Sequence, residues 1–247
     1  WFFVPRTVAP PLAPVQAYFT SENGSSSDYT VADVIISEMQ RAEKQILIMV
    51  NHFNMRRISR ALIRLHRDRN ENTDPDDDVE IKVLMDLGEY DAANISRAAE
   101  LEDAGIEARY KTYSLGFHYT RAQFMHHKAM IVDGERVTTG SYNWSRTAEH
   151  GNHENIQVLK QPSLLKAFKK EYEALWTLRR DVYPKFMARL KAKKGTKEYR
   201  RFLPNHFKPM ALSGKEMAAL RRIYVKQGFA FRPYKKKRPT SEYWNLD

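Results

Sequence analysis

A histidine, a lysine and an aspartate fall at His126, Lys128 and Asp133, and Gly140, Ser141 and Asn143 follow close behind. Written as a pattern, the segment is H-x-K-x4-D-x6-G-S-x-N. These side chains offer a nucleophile or proton carrier, a fixed cation, and hydroxyl and amide groups that can hold developing negative charge. That inventory suits attack on a phosphodiester. No cluster of metal-ligating residues accompanies it in the sequence, so the chemistry expected is carried by side chains.

The elements around the motif give its spacing meaning. Ala129-Met130-Ile131-Val132 is a short apolar run that predicts a buried strand. Alternate residues of a strand share a face, so His126 and Lys128 point one way and His127 the other. Asp133-Gly134 is a two-residue hairpin signal, and the β-branched run Val137-Thr138-Thr139 returns as the partner strand. Gly140 then allows a tight turn that sets Ser141 and Asn143 beside the strand end carrying His126.

On these residues the segment resembles the H-K-D motif of the phospholipase D superfamily, in the compact form of its single-motif bacterial endonucleases. Glu154, eleven residues after Asn143, matches a position where such proteins carry a carboxylate supporting the histidine. The resemblance extends more weakly from about Val15 to about Leu178. It implies that His126 is the nucleophile that forms a phosphohistidine and also the acid that protonates the leaving oxygen. One histidine cannot do both at once, so the family brings two copies of the motif together. Lys128 and Asn143 are implied to bind the phosphate oxygens, and Ser141 and Glu154 to orient the histidine. Asp133 is read as mainly structural, bonding the turn around the site. The resemblance implies no metal and no other cofactor, since two lysines supply the cationic field. A search for a second motif finds only His206-Phe207-Lys208, with Ser213 where the aspartate belongs. A single motif per chain therefore predicts a homodimer, each copy giving one His126 to a shared site.

Along the chain, residues 1–14 hold four prolines and predict an extended arm. Strands are expected over Val15 to Thr20, Gln45 to Val50, Val79 to Met85, Ile106 to Tyr110 and Asn155 to Leu159. Helices are expected over Val31 to Lys44, Ile58 to Leu65, Asn94 to Ala104 and Ser163 to Leu178. The alternation predicts an α/β domain over 15–178 with a mixed, largely parallel sheet flanked by helices. A basic, helical extension over 179–247 follows. In it, Ser213-Gly214-Lys215-Glu216 is a capping box, with Met217, Leu220 and Tyr224 at helical spacing.

Charge separates these parts. The chain of 247 residues carries a net +11. Residues 179–247 hold 20 Lys/Arg against 5 Asp/Glu, and the remainder holds 21 against 25. So concentrated a cation favours polyanions, nucleic acid first and anionic lipid second. Candidate nucleic-acid contacts are Tyr113, Phe117, His118 and Arg121 before the motif, Arg221 and Arg222 on the C-terminal helix, and Lys235, Lys236, Lys237 and Arg238 beyond it. The absence of cysteine excludes a disulfide framework and Cys-containing zinc sites, including the Cys/His module of animal mitochondrial relatives. The start at Trp1 leads to the expectation of a trimmed N-terminus, and export to a periplasmic or extracellular space is the compartment that fits it. The function expected is metal-independent cleavage of DNA or RNA. A lipid phosphodiesterase acting on cardiolipin and a catalytically silent nucleic-acid-binding protein are the alternatives.

Overall fold

Backbone pairing across one sheet organises the molecule, and the residues described in this computed structural model are 15–20, 29–70, 78–92, 96–112, 123–200 and 208–226. The most apolar segments form its centre: β2 (Gln45–Val50), β3 (Glu80–Asp86) and β5 (Lys128–Val132). Around them lie β1 (Gln16–Phe19), β4 (Glu107–Lys111), β6 (Arg136–Gly140), β7 (Asn155–Leu159) and β8 (Ala211–Leu212). The eight strands run in the order β1-β7-β6-β5-β2-β3-β4-β8.

The expected predominance of parallel pairing is corrected here. Only β2–β3 and β3–β4 are parallel, and the other five adjacent pairs are antiparallel. The reason lies in the connections. Helical crossovers join β2 to β3 and β3 to β4, as parallel strands require. The chain then enters on the far side of β2, turns directly from β5 into β6, and reaches β7 after the short helix Arg146–His150. Between β5 and β6 the reversal is a three-residue loop, since Val132 pairs with Arg136. Asp133 and Gly134 both adopt positive φ there, 53° and 69°.

Both faces are covered, so β5 is buried throughout, β2 after Gln45 and β3 from Val83 onward. Ile46, Ile48 and Val50 face a core shared with α1 (Thr30–Met39) and α2 (Arg56–Asn70). Leu47 and Met49 face the opposite layer, where α6 (Pro162–Trp176) supplies Tyr172 and Trp176. The short helices α3 (Leu87–Asp91), α4 (Ala98–Asp103) and α5 (Arg146–His150) pack against the first layer. Glu149 of α5, itself buried, accepts from the Val31 and Ala32 amides and the Tyr142 hydroxyl, and so caps α1.

The C-terminal extension builds onto the same core. From α7 (Tyr183–Ala192) come Phe186, Met187 and Leu190, and from α8 (Gly214–Lys226) Met217 and Leu220. β8 adds an edge strand to β4, with Ala211 opposite Lys111. The capping box predicted at the start of α8 forms: Ser213 N donates to Glu216 Oε2 at 2.9 Å and Glu216 N to Ser213 Oγ at 3.4 Å. The proposed arm at 1–14 lies outside the described residues.

Candidate active site

β5 starts at the lysine of the motif, two residues after His126, and its register with β2 decides what faces what. Val50 pairs with Lys128 in the antiparallel β2–β5 ladder. The pairing continues past both strands: Asn51 N donates to the His127 carbonyl at 2.9 Å, and Asn51 Nδ2 to the Met125 carbonyl at 2.9 Å. His52 follows, near enough for its charge to act on His126, and His126 shares a face with Lys128, because side chains alternate. His127 takes the other face, where its Nε2 lies 3.2 Å from Glu171 of α6.

His126 and Lys128 are in contact. The lysine Nζ is 3.1 Å from His126 Nδ1 and donates to the His126 backbone carbonyl at 2.8 Å. Lys128 is buried to 9% exposure, and that burial lowers its pKa, with Glu154 pulling it back up. The His126 pKa is also lowered, by desolvation first and then by the adjacent ammonium, while Asp86 opposes the change. A neutral imidazole with an available lone pair is the consequence.

Three site residues carry no mark in the local sequence pattern: His52, Asp86 and Glu89. Asp86, buried at the end of β3, accepts from Met125 N at 2.9 Å through Oδ2 and from Gly88 N at 2.9 Å through Oδ1. It thereby fixes the residue that precedes His126 and caps α3. Glu89 of α3 is 2% exposed; it holds His52 Nδ1 at 2.5 Å and accepts from Phe53 N at 3.0 Å. The His52 pKa is raised, chiefly by that hydrogen bond. The only available signal was positional, since all three lie at or just past the C-terminal ends of β2 and β3, where open α/β sheets present their sites.

The other expected residues divide. A parallel bridge between Phe53 and Trp144 brings Asn143 beside His52, and the two rings meet edge to face at 5.0 Å. Asn143 Oδ1 is buried with no hydrogen-bond partner among the described residues. Ser141 Oγ accepts from Asn155 N at 3.1 Å, and Glu154 Oε1 from Asn152 Nδ2 at 3.0 Å. Neither makes a hydrogen bond to His126 among the described residues; Lys128 is the side chain that does. Gly140 is needed for a different reason from the expected tight turn: a Cβ there would stand 2.1 Å from the Asn155 carbonyl oxygen of β7. Asp133 lies at the far end of β5 from His126, seven residues on, roughly 23 Å of extended chain. It accepts the amides of Glu43, Lys44 and Gln45 at 2.9, 2.9 and 2.8 Å. The turn it secures is therefore the one entering β2, remote from the site.

Of the candidate nucleic-acid contacts, Arg221 and Arg222 line a groove of about 780 Å³ with Tyr90, Lys215 and Lys226. Asp91 at the end of α3 meets Arg221 at 4.0 Å, and burial raises the Asp91 pKa to about 6. One short helix thus presents Glu89 to His52 and Asp91 to this groove. Tyr113, Phe117, His118, Arg121, Lys235, Lys236, Lys237 and Arg238 lie outside the described residues. Among those described, no group of three or more His, Asp or Glu is placed to hold a metal ion, and no helix is long and apolar enough to cross a membrane.

A family model described as "Cardiolipin synthase, PLD-like domain" matches residues 35–176. The chain is similar to the mitochondrial cardiolipin hydrolase of Xenopus laevis, 33% identical over 142 residues that make up 58% of this chain and 59% of that protein. It therefore spans about six tenths of that relative's length. Among solved structures it is similar to Nuc from Salmonella typhimurium, with 24% identity and a TM-score of 0.48 over 66% of this chain and 93% of that one. NucT from Helicobacter pylori matches at 18% identity and a TM-score of 0.49, over 65% of this chain and 94% of that one.

Proposed function

This chain belongs to the phospholipase D-like family, and from that premise we propose that it is a metal-independent phosphodiesterase that cleaves nucleic acid through a phosphohistidine on His126. The observation that carries the reading is the His126–Lys128 contact, in which the lysine ammonium stands 3.1 Å from the imidazole Nδ1. In it, the neutral His126 ring attacks phosphorus. Lys128 and Asn143 meet the non-bridging oxygens as charge builds on them. Ser141 and Glu154 act at one remove: Glu154 through the field it imposes on Lys128, Ser141 through its hold on Asn155. Asp133 orders the sheet.

Nucleic acid is the substrate favoured by the cationic groove of α8, whose Arg221 meets Asp91 of α3, and by the five Lys/Arg of residues 227–247. One observation favours a second reading. Relatives about a third identical over the aligned stretch are named cardiolipin hydrolases, and a cationic surface also attracts anionic lipid. The reaction needs a second imidazole to protonate the leaving oxygen. A homodimer apposing two copies of His126 is one source; a histidine of the same chain is the other.

The test is the full chain in excess EDTA with labelled single-stranded DNA, RNA, duplex DNA and cardiolipin vesicles side by side. Cleavage of a nucleic acid that His126→Asn abolishes is the expected result. Hydrolysis of cardiolipin alone would transfer the reading to lipid.

A further inference from the structure

We propose that α2 carries a phosphate track, on which the exposed arginines Arg56, Arg60, Arg64 and Arg67 hold the backbone of a nucleic-acid strand as it leaves the site. The track rests on the nucleic-acid reading above and adds to it a helix that the reaction itself does not use.

Spacing makes the row. α2 reads RRISRALIRLHRDRN over Arg56–Asn70, with six arginines, one aspartate and neither lysine nor glutamate. Ile58, Ser59 and Leu62 are buried, which turns the other side of the helix outward. On that side Arg56, Arg60, Arg64 and Arg67 recur at steps of four, four and three residues, and all four are exposed. Residues so spaced are neighbours along a helix surface. At 1.5 Å of rise per residue the row is about 16 Å long. One stacked strand, with a phosphate every 3.4 Å, presents about five phosphates over that length.

Folding does not account for this pattern. Like charges four residues apart repel, and Arg56 neighbours Arg60 as Arg60 neighbours Arg64. No acidic residue stands in the first turn, where the helix dipole is already positive and Arg56 and Arg57 add to it. Arg57 is compensated: Asp33 meets it at 2.6 Å, and its guanidinium lies over the Tyr29 ring. Among the described residues, Arg56, Arg60 and Arg64 make no salt bridge. A groove of about 510 Å³ runs beside Arg60, Arg64 and Arg67, and its carboxylates are Asp68, Asp103 and Glu100. Glu100 is engaged by the Ser59 hydroxyl and by Arg97 at 3.5 Å, which leaves the arginines in excess. Arginine rather than lysine suits phosphate, because its planar fork meets two oxygens at once.

The row also starts in the right place. Asn54 N and Met55 N donate to the Trp144 carbonyl at 3.0 and 2.9 Å, and Trp144 follows Asn143. Arg56 is the next residue after Met55, so a strand held at Asn143 meets the row at its first arginine. A membrane fits less well. Peripheral helices bind lipid by burying an apolar face in it, and the apolar face of α2, Ile58 and Leu62, is already packed in the core.

The experiment uses full-length His126→Asn, which allows binding without turnover, and a fluorescent single-stranded oligonucleotide in EDTA at several salt concentrations. Replacing Arg56, Arg60 and Arg64 together by Gln should weaken binding and reduce the slope of log K against log salt by about 2, at about 0.7 per lost phosphate contact. Replacing the same three by Lys keeps the charge and should keep most of the slope. With His126 restored, the Gln variant should raise KM for the oligonucleotide and leave turnover of bis(p-nitrophenyl) phosphate unchanged, since that substrate is too short to reach α2. An unchanged slope in the Gln variant, an equal loss in the Lys variant, or equal losses on both substrates would each overturn the proposal. Lost binding to phosphatidylserine vesicles with oligonucleotide binding intact would overturn it in favour of lipid. Should the triple Gln variant fail to fold, Arg60→Gln and Arg64→Gln decide singly, each expected to lower the slope by about 0.7. A wild type that neither binds nor cleaves nucleic acid in EDTA would remove the nucleic-acid reading and this inference with it. Cleavage that requires His126 but is indifferent to the arginine variants would remove this inference alone.

Discussion

At the scale of single residues, the candidate site places one ammonium against one imidazole. Lys128 Nζ sits 3.1 Å from His126 Nδ1, and its charge is one of the causes that lower the His126 pKa. Removing that charge should raise it. In Lys128→Met, an NMR titration of the His126 ring is expected to shift upward toward the ordinary imidazole value, and cleavage should fall about 10²–10³-fold through the lost charge stabilisation. A His126 titration that stays put or moves down would show that burial alone sets it. This pair was legible from sequence because H-x-K on a strand needs only alternation to share a face. His52 and Glu89 were not legible. They stand 74 and 37 residues before His126, and only the β2–β5 pairing and the α3 turn bring them to it. Tertiary register leaves no trace in local spacing.

At the scale of elements, the hairpin that follows the motif anchors the sheet centre. The β-branched run of β6 and the Asp133-Gly134 reversal were readable, and so was the two-faced burial of β5. The direction of the strands was not. An alternating strand–helix pattern suggests βαβ units, yet after β4 the strands β5, β6 and β7 pair antiparallel, across a hairpin and then across α5. Asp133 ties the two halves together by receiving three amides at the entry to β2, and its conformation at φ 53° is one that few residues tolerate. Asp133→Ala should lower stability by about 2 kcal/mol, from lost hydrogen bonds to a charged acceptor. In a chain of this size that is a fall of roughly 4–8 °C in Tm. Thermal unfolding followed by circular dichroism would measure it, and an unchanged Tm would show that water replaces the carboxylate at no cost.

At the scale of the whole molecule, charge and packing divide the C-terminal extension differently. By charge it is one cationic block from residue 179 onward. By packing, the described part belongs to the core, for α7, β8 and α8 contribute Leu190, Leu212 and Leu220 to it. Cutting after Leu178 would therefore strip the core, whereas removing residues 227–247 takes away none of the described sheet or helices. The latter truncation should weaken binding to single-stranded DNA and flatten its salt dependence, each lost phosphate contact reducing the slope by about 0.7. Binding isotherms at several salt concentrations would show it, and an unchanged slope would mean that these five cations do not touch the polyanion.

The central claim is that His126 carries the phosphoryl group without a metal. It is met most directly by stopping the reaction of the full chain with a labelled oligonucleotide in excess EDTA and mapping the modified peptide by mass spectrometry. A phosphoryl adduct on His126, formed during turnover and absent from His126→Asn, is the predicted result. Cleavage that needs added Mg²⁺ and leaves His126 unmodified would contradict it.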